Sequence, residues 1–258
     1  MEASVSSTAP RGVFRTARRD AWWLPPLGVV AGLTLFTAYA VYAVAVGDDY
    51  LYGGGGARYL SPFYSPDLHY FFGVSFPFSF SFLVVWAPLG LRATCYYYRK
   101  AYYRSFFLAP PACAVAGLRR RYKGEASLPW ILQNVHRYFF YLATIVLGFL
   151  WFDAIRAFFF TRPGGGLEAG LGLGTLVMLV NVVLLSGFTF GCNSLRHLAG
   201  GHANCLSCSR TRHRLWTWVT VLNRRHQEWA WVSLVVVGLT DLYIRLAAAG
   251  VFHDPRIF

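Results

Sequence analysis

The stretch "WWLPPLGVVAGLTLFTAYAVYAVAV", Trp22 to Val46, runs for 25 residues without a charge. A hydrocarbon core about 30 Å thick takes roughly 20 helical residues to cross, so this run predicts a membrane-spanning helix. The competing reading is a secretory signal, because the preceding "RGVFRTARRD" has the character of a basic n-region. Signal h-regions, however, run only about 7 to 15 residues. An uncleaved helix is expected.

Outward from this run, four further apolar stretches follow: His69–Leu91, Trp130–Phe160, Ala169–Cys192 and His226–Phe252. The second is Phe-rich and contains Pro77 and Pro88, which should bend a helix there. Composition agrees with membrane residence, at 56% hydrophobic, 18% aromatic and only 14% charged, where soluble domains carry about 25% charged residues. The expected fold is all-α, an integral membrane bundle of five transmembrane helices at about 22–46, 69–91, 130–160, 169–192 and 226–252. A cytoplasmic basic tail, 1–21, precedes a single five-helix domain over 22–258.

A formal charge of +13 would suit a nucleic-acid binder if the basic residues covered one surface. They gather instead at the ends of the apolar runs. Of 24 Lys and Arg residues, 19 fall in the N-terminal tail, in 92–123, at Arg137 or in 196–225. By the positive-inside rule these segments are cytoplasmic. The N-terminus is then inside and the C-terminus outside, together with the loops "YGGGGARYLSPFYSPD" and "TRPGGGLEAG". The expected location is the inner (plasma) membrane, multi-pass. Tyr96, Tyr97, Tyr98, Tyr102 and Tyr103 read as an interfacial belt rather than a stacking platform, so no nucleic acid is expected. The basic clusters "RKAYYR" and "RRRYK" have two readings, contact with anionic membrane lipid or docking of an acidic partner.

This topology puts every cysteine (Cys95, Cys113, Cys192, Cys205, Cys208) on or near the cytoplasmic side, with five of the seven histidines. An odd number of thiols in a reducing compartment argues against disulfides. Metal binding or plain packing remains. Cys95, His136, Cys192 and His226 each lie 24 to 28 residues from the outer end of their own run, on four different helices. At about 1.5 Å per residue they reach one level near the cytoplasmic edge. Two thiols and two imidazoles suit a tetrahedral zinc site or a Rieske-type [2Fe-2S] centre, although cysteine is also a common small core residue. A second arrangement, His202, Cys205, Cys208 and His213, has the spacing of a cytoplasmic zinc knuckle. Its alternative is a solvated basic loop.

Deeper in the runs lie Asp153 with Arg156, and Asp241 with Arg245, each pair on one helix face. They read as a neutralised network pinning helices together, or as a proton route from outside. Asn181 reads as a polar helix contact.

Several separated motifs carry a resemblance: "RATCYYYRKAYYRSFFLAPPACAV", "LPWILQNVHRYFFY", "GCNSLRH", "LNRRHQEWAW" and the final "DPRIF". Together they resemble the membrane anchor subunit of the actinobacterial type of succinate dehydrogenase, complex II, over about residues 20–258. The resemblance implies an anchor that docks a flavoprotein (FAD) subunit and an iron-sulfur protein subunit and delivers electrons from succinate to a membrane quinone, of the menaquinone type. Succinate oxidation itself falls to a partner subunit. It also implies a membrane-embedded Rieske-type [2Fe-2S] cluster, with Cys95, Cys113 and Cys192 as thiolate candidates and His136, His197 and His226 as imidazole candidates. The chain departs from that pattern at Leu195, where a second cysteine is expected.

A haem b held by His136 and His226 is the alternative redox reading, and it leaves the cysteines unexplained. Trp130, Arg137 and Trp229 flank the two histidines and carry donors suited to quinone carbonyls, though each also suits an interfacial anchor. A structural membrane protein with a zinc knuckle explains only 202–213. A transporter explains the intramembrane charges, but the chain has no internal repeat or paired broken helices.

Overall fold

The computed structural model describes residues 12–46, 48–73, 79–118, 135–201 and 204–258. The chain is mostly helical and divides into two compact units, residues 1–37 with 93–134 and residues 38–92 with 135–258. Among the described residues, four helices are long and apolar enough to cross a membrane: α1 (Leu24–Val46), α5 (His136–Arg156), α6 (Leu173–Phe190) and α9 (His226–Ala248).

The fifth expected span needs correction. His69–Leu91 is not one helix. The Asp67 carboxylate accepts from the Tyr70 N–H at 3.0 Å and starts a single turn, α2 (Leu68–Phe72). Gly73, with φ of 63°, ends it in the left-handed conformation that glycine adopts without penalty. Helix α3 (Ser81–Thr94) then carries Pro88 inside it and is 14 residues long, short of the roughly 20 that a perpendicular crossing takes. Helix α5 begins at His136 and stops at Arg156, so the reach to residue 160 was too long. Beyond it the chain turns into a hairpin.

In the larger unit, α5, α6 and α9 pack around Leu147, Ala154, Met178, Val182, Ile244 and Ala247. Lipid tails provide no apolar driving force between helices, so close approach through small residues matters more than in water. A side chain at Gly187 of α6 would meet the Trp229 ring at 2.7 Å, and one at Gly174 would meet Tyr59 at 2.3 Å.

One end of this unit is closed by two antiparallel hairpins: β1 (Leu51–Tyr52) with β2 (Tyr59–Leu60), and β3 (Phe159–Thr161) with β4 (Leu167–Ala169). Around them run two polar networks. In the first, Asp241 is fully buried and accepts from the hydroxyls of Tyr39 and Ser61 and from Arg245 Nε at 2.9 Å. Arg245 also donates to the carbonyls of Ala43 (2.5 Å) and Asp48, and Tyr64 donates to those of Ala43 and Val44 at 3.2 Å. The last carbonyls of α1, which have no partner within their own helix, are satisfied in this way. In the second, Asp254 accepts from Tyr59 (2.8 Å), from Tyr243 and from the Gly174 N–H (2.7 Å), tying the C-terminal segment to the start of α6. Of the two predicted Asp/Arg pairs, 241 with 245 forms. Asp153 instead accepts from Ser65 at 2.6 Å, while Arg156 lies 4.6 Å above the Tyr70 ring.

In the smaller unit, residues 14–18 lie along 113–116. Phe14 donates to the Ala116 carbonyl and the Ala116 N–H donates to Arg15, both at 2.9 Å. Helix α4 (Tyr96–Ser105) follows, with buried Cys95 as its N-terminal cap.

Candidate functional site

At the other end of the larger unit, three predicted donors come together. His136 opens α5. Cys192 sits at the joint between α6 and α7 (Asn193–Gly200), and His226 opens α9. The joint exists because α6 ends at Gly191, where a side chain would meet the Gly187 carbonyl at 2.6 Å and His226 Nδ1 at 3.3 Å. His136 Nε2 lies 3.1 Å from Cys192 Sγ. Sγ also accepts from the Ser194 N–H at 3.4 Å. Cys192 lies beyond the end of the α6 span, and burial pushes its thiol up, so it keeps its proton at neutral pH unless a positive centre compensates the thiolate.

His226 is buried and stacks on Phe188, with centroids 5.2 Å apart and an interplanar angle of 10°. The Phe188 ring also carries the Arg92 guanidinium, 4.6 Å from its centroid. Arg92 is fixed by donating to the Ala230 carbonyl (3.1 Å) and to Ser233 Oγ (3.0 Å). A cation, a phenyl ring and an imidazole therefore form one column, and a desolvated cation–π contact of this kind contributes up to about 2 kcal/mol. His136, His226 and Arg92 are within electrostatic reach of one another.

Beside this column, the Trp229 indole packs into the space left by Gly187. Its Nε1–H is buried and has no acceptor among the described residues. A buried donor without a partner costs about 1–3 kcal/mol. Arg137 Nη2 donates to His197 Nδ1 at 2.8 Å, so His197 belongs to a separate, exposed pair.

Cys95 and exposed Cys113 belong to the smaller unit. Trp130 and His202 lie outside the described residues. The zinc-knuckle residues are described only in part: Cys205 and Cys208 are bonded to each other, with Cα atoms 5.4 Å apart, and His213 stacks on Trp216. The expectation of no disulfides is overturned by the same bond. Its physical basis is a C-x-x-C spacing that brings two thiols within bonding reach across one turn.

For a Rieske-type centre the donors fit in kind, two imidazoles and a buried thiol from three helices at one level. In the present arrangement the His136–Cys192 contact has hydrogen-bond length, and among the described residues no three His, Cys, Asp or Glu side chains close on one point as metal ligands. Arg92, Phe188 and Gly191 were missed by the sequence reading. The available signal was Arg92 at the head of "RATC", which had been counted only as an interfacial charge.

The profile of the family described as actinobacterial succinate dehydrogenase subunit SdhC matches residues 24–250. The chain belongs to that family. It is therefore the membrane anchor subunit of an actinobacterial succinate dehydrogenase, a multi-pass membrane protein whose partners are other subunits of that complex. Among solved structures, the Mycobacterium smegmatis Sdh1 complex in the apo form contains a similar chain, with a TM-score of 0.85 and 38% identity over 98% of this chain and 97% of that one. The comparison with curated proteins gave no match. For this anchor, the two ends of the larger unit are the regions that matter, one closed by satisfied polar networks and one holding imidazoles, a thiol and a free indole N–H.

Proposed function

We propose that this anchor is the electron-relay subunit of succinate:quinone oxidoreductase, taking electrons from an extrinsic iron-sulfur subunit served by an FAD flavoprotein and delivering them to a membrane quinone. In this reading His136, His226, Cys192 and Cys95 hold a Rieske-type [2Fe-2S] cluster. Cys95 is preferred to Cys113 because it is buried. Such a centre supplies one-electron chemistry at a potential raised by imidazole ligation.

The observation that carries the reading is the meeting of His136 with Cys192 beside the stacked His226. Each surrounding residue has a definable part. His136 Nε2 and Cys192 Sγ, 3.1 Å apart, would supply one imidazole and one thiolate to the cluster. Phe188 and Arg92 fix the His226 ring. Trp229 holds out an N–H for a quinone carbonyl, with Arg137, next to His136 in sequence, as a second donor. A haem b on His136 and His226 gives Cys192 nothing to do. The five-span topology, with α3 as the short or tilted fifth crossing, the N-terminus cytoplasmic and the C-terminus outside the plasma membrane, belongs to the same proposal and is supported by the distribution of Lys and Arg.

The test is EPR of the purified complex after reduction. A Rieske-like signal is expected, lost in His226→Ala and in Cys192→Ser along with quinone reduction, while succinate oxidation by artificial acceptors continues. A Soret band in place of that signal overturns the cluster, as does quinone reduction that survives both substitutions.

A further inference from the structure

The Cys205–Cys208 bond has no part in the relay, and its setting gives it a chemistry of its own. Helices α6 and α7 on one side, and α8 (Arg210–Arg224) and α9 on the other, keep one antiparallel register past the level of Cys192. Phe188 meets His226, the Gly191 carbonyl accepts from Asn223 at 2.8 Å, Arg196 donates to Thr220 at 3.2 Å, and Gly200 abuts Trp216. Gly201 closes the ladder by accepting from Arg212 at 3.2 Å. The α7–α8 pair thus continues the α6–α9 pair as an arm. With 15 residues at about 1.5 Å each, α8 runs roughly 20 Å from its junction with α9 to its tip.

At that tip Cys205 and Cys208 are both exposed. The bond does not serve as a staple. It joins residues only three apart in sequence, and so short a loop constrains an unfolded chain little. The arm is already held without it, by Arg212 on the carbonyls of Ala199 (3.1 Å) and Gly201, by the Gly201 N–H on the His197 carbonyl at 2.6 Å, and by Arg196 over the Trp216 ring at 5.0 Å.

Its surroundings favour exchange. Cys208 directly precedes Ser209, the N-cap of α8, and the Ser209 side chain makes no capping hydrogen bond, so the N–H groups of the first turn are not taken up by that hydroxyl. Arg210, Arg212 and Arg214 follow, and no Asp or Glu occurs between Asn193 and Gln227. A helix N-terminus and an excess of cations both stabilise a thiolate, and a stabilised thiolate is the better leaving group in exchange.

We propose that Cys205–Cys208 is a reversible thiol–disulfide exchange site on this anchor, reduced by a dithiol protein of the thioredoxin class. The incoming thiolate attacks Cys205 Sγ, the Cys205–Cys208 bond breaks, and Cys208 leaves as the thiolate. The second thiol of the reductant then resolves the mixed disulfide. Two electrons and two protons pass to the pair, and the reductant leaves as its own disulfide. The oxidised form of the same couple runs the sequence backwards. The chemistry stands apart from the relay reading. Only the in-cell redox state of the pair rests on the topology proposed above, which puts the arm in the reducing compartment.

The test uses the whole purified complex, equilibrated over a series of dithiol redox buffers, alkylated and mapped by peptide mass spectrometry at Cys205 and Cys208 alone. Both thiols are expected to appear together along one two-electron curve, with a midpoint in the range spanned by thioredoxin and protein disulfide isomerase. A thioredoxin lacking its resolving cysteine is expected to be trapped on Cys205. Thiols that stay protected under a large excess of dithiol overturn the proposal. So do thiols free in every buffer, or zinc bound on the pair in the isolated complex. Capture on Cys208 overturns the assigned order of attack. None of these readouts involves EPR or quinone turnover, so failure of the relay reading leaves them intact.

Discussion

The two ends of the larger unit handle buried charge and buried donors differently, although Thr240 Oγ1, next to Asp241, also has no hydrogen-bond partner among the described residues. At the hairpin end, both Asp241 oxygens are occupied, Arg245 is spent on the Asp241 carboxylate and two backbone carbonyls, and Asp254 gathers three donors. At the other end the Trp229 N–H lacks an acceptor among the described residues, and Cys192 Sγ meets a histidine nitrogen at 3.1 Å and the Ser194 N–H at 3.4 Å. A polar group inside a membrane protein is tolerated when it is satisfied, and it is informative when it is not. The difference separates what holds the anchor together from what the anchor is for.

The sharpest way to break this comparison is Asp241→Ala. Removing the carboxylate leaves the Arg245 guanidinium buried without its counter-charge, and breaking a buried pair in this way costs about 3–5 kcal/mol. The anchor should fail to accumulate in the membrane. Asp241→Asn, which keeps the shape and one of the two acceptor oxygens, should lower thermal stability less and leave succinate:quinone turnover per assembled complex unchanged. Normal assembly of Asp241→Asn with turnover lost would make the network a proton route and erase the contrast. Next in size is Arg92→Gln. It removes two charge-assisted hydrogen bonds and the cation over Phe188, each such bond contributing about 1.5–3 kcal/mol. The expected result is a complex that assembles with a shifted EPR signal and slowed quinone reduction. An unchanged spectrum would show that the column does not govern His226.

How much of this was legible in sequence follows from the range of the interactions involved. Helices α1, α6 and α9 could be placed within about four residues of their ends, because an uninterrupted apolar run is a local signal. The 69–91 run misled because apolarity alone carries no stop sign. Asp67 and Gly73 are the local cues that cut it, and they were outweighed by the phenylalanines around them. At the site, depth counting brought His136, Cys192 and His226 to one level, since rise per residue is fixed. The Arg92–Phe188–His226 column was not legible, because it joins three helices through side-chain directions that no spacing rule encodes. Asp254 was invisible for a similar reason. Its role depends on the chain end returning to Tyr59 and Gly174 across long stretches of sequence.

Trp229→Phe sharpens the functional side of the comparison. The indole N–H has no protein acceptor among the described residues, so its loss removes no internal hydrogen bond and thermal stability should barely move. If the N–H is kept for a quinone carbonyl, kcat/KM for quinone should fall about tenfold, equivalent to about 1.4 kcal/mol, carried mainly in KM. Dye-linked succinate oxidation should not change. A drop in stability with unaltered KM would return Trp229 to the class of packing residues.

The smallest expected effect tests whether satisfied polarity at the hairpin end extends to its exposed edge. Arg256 at 2.6 Å and Arg162 at 3.0 Å hold Glu168 below the usual glutamate range, Arg256 first, by hydrogen bonds to the carboxylate. A carboxylate depressed in the folded state binds protons more readily when unfolded, so its contribution is present above the ordinary glutamate value and is lost as pH falls through the folded value. The Glu168 side chain is 27% exposed and those of Arg162 and Arg256 are 59% and 43% exposed, so water and salt screen both pairs and leave them weak. Glu168→Gln should therefore be nearly silent in Tm at neutral pH and should flatten the acid limb slightly, an effect that shrinks further in high salt. A large loss at neutral pH would mean that the Arg256–Glu168–Arg162 bridge holds the C-terminal segment against α6 as firmly as Asp254 does, and the boundary between buried clamp and exposed edge would have to be redrawn.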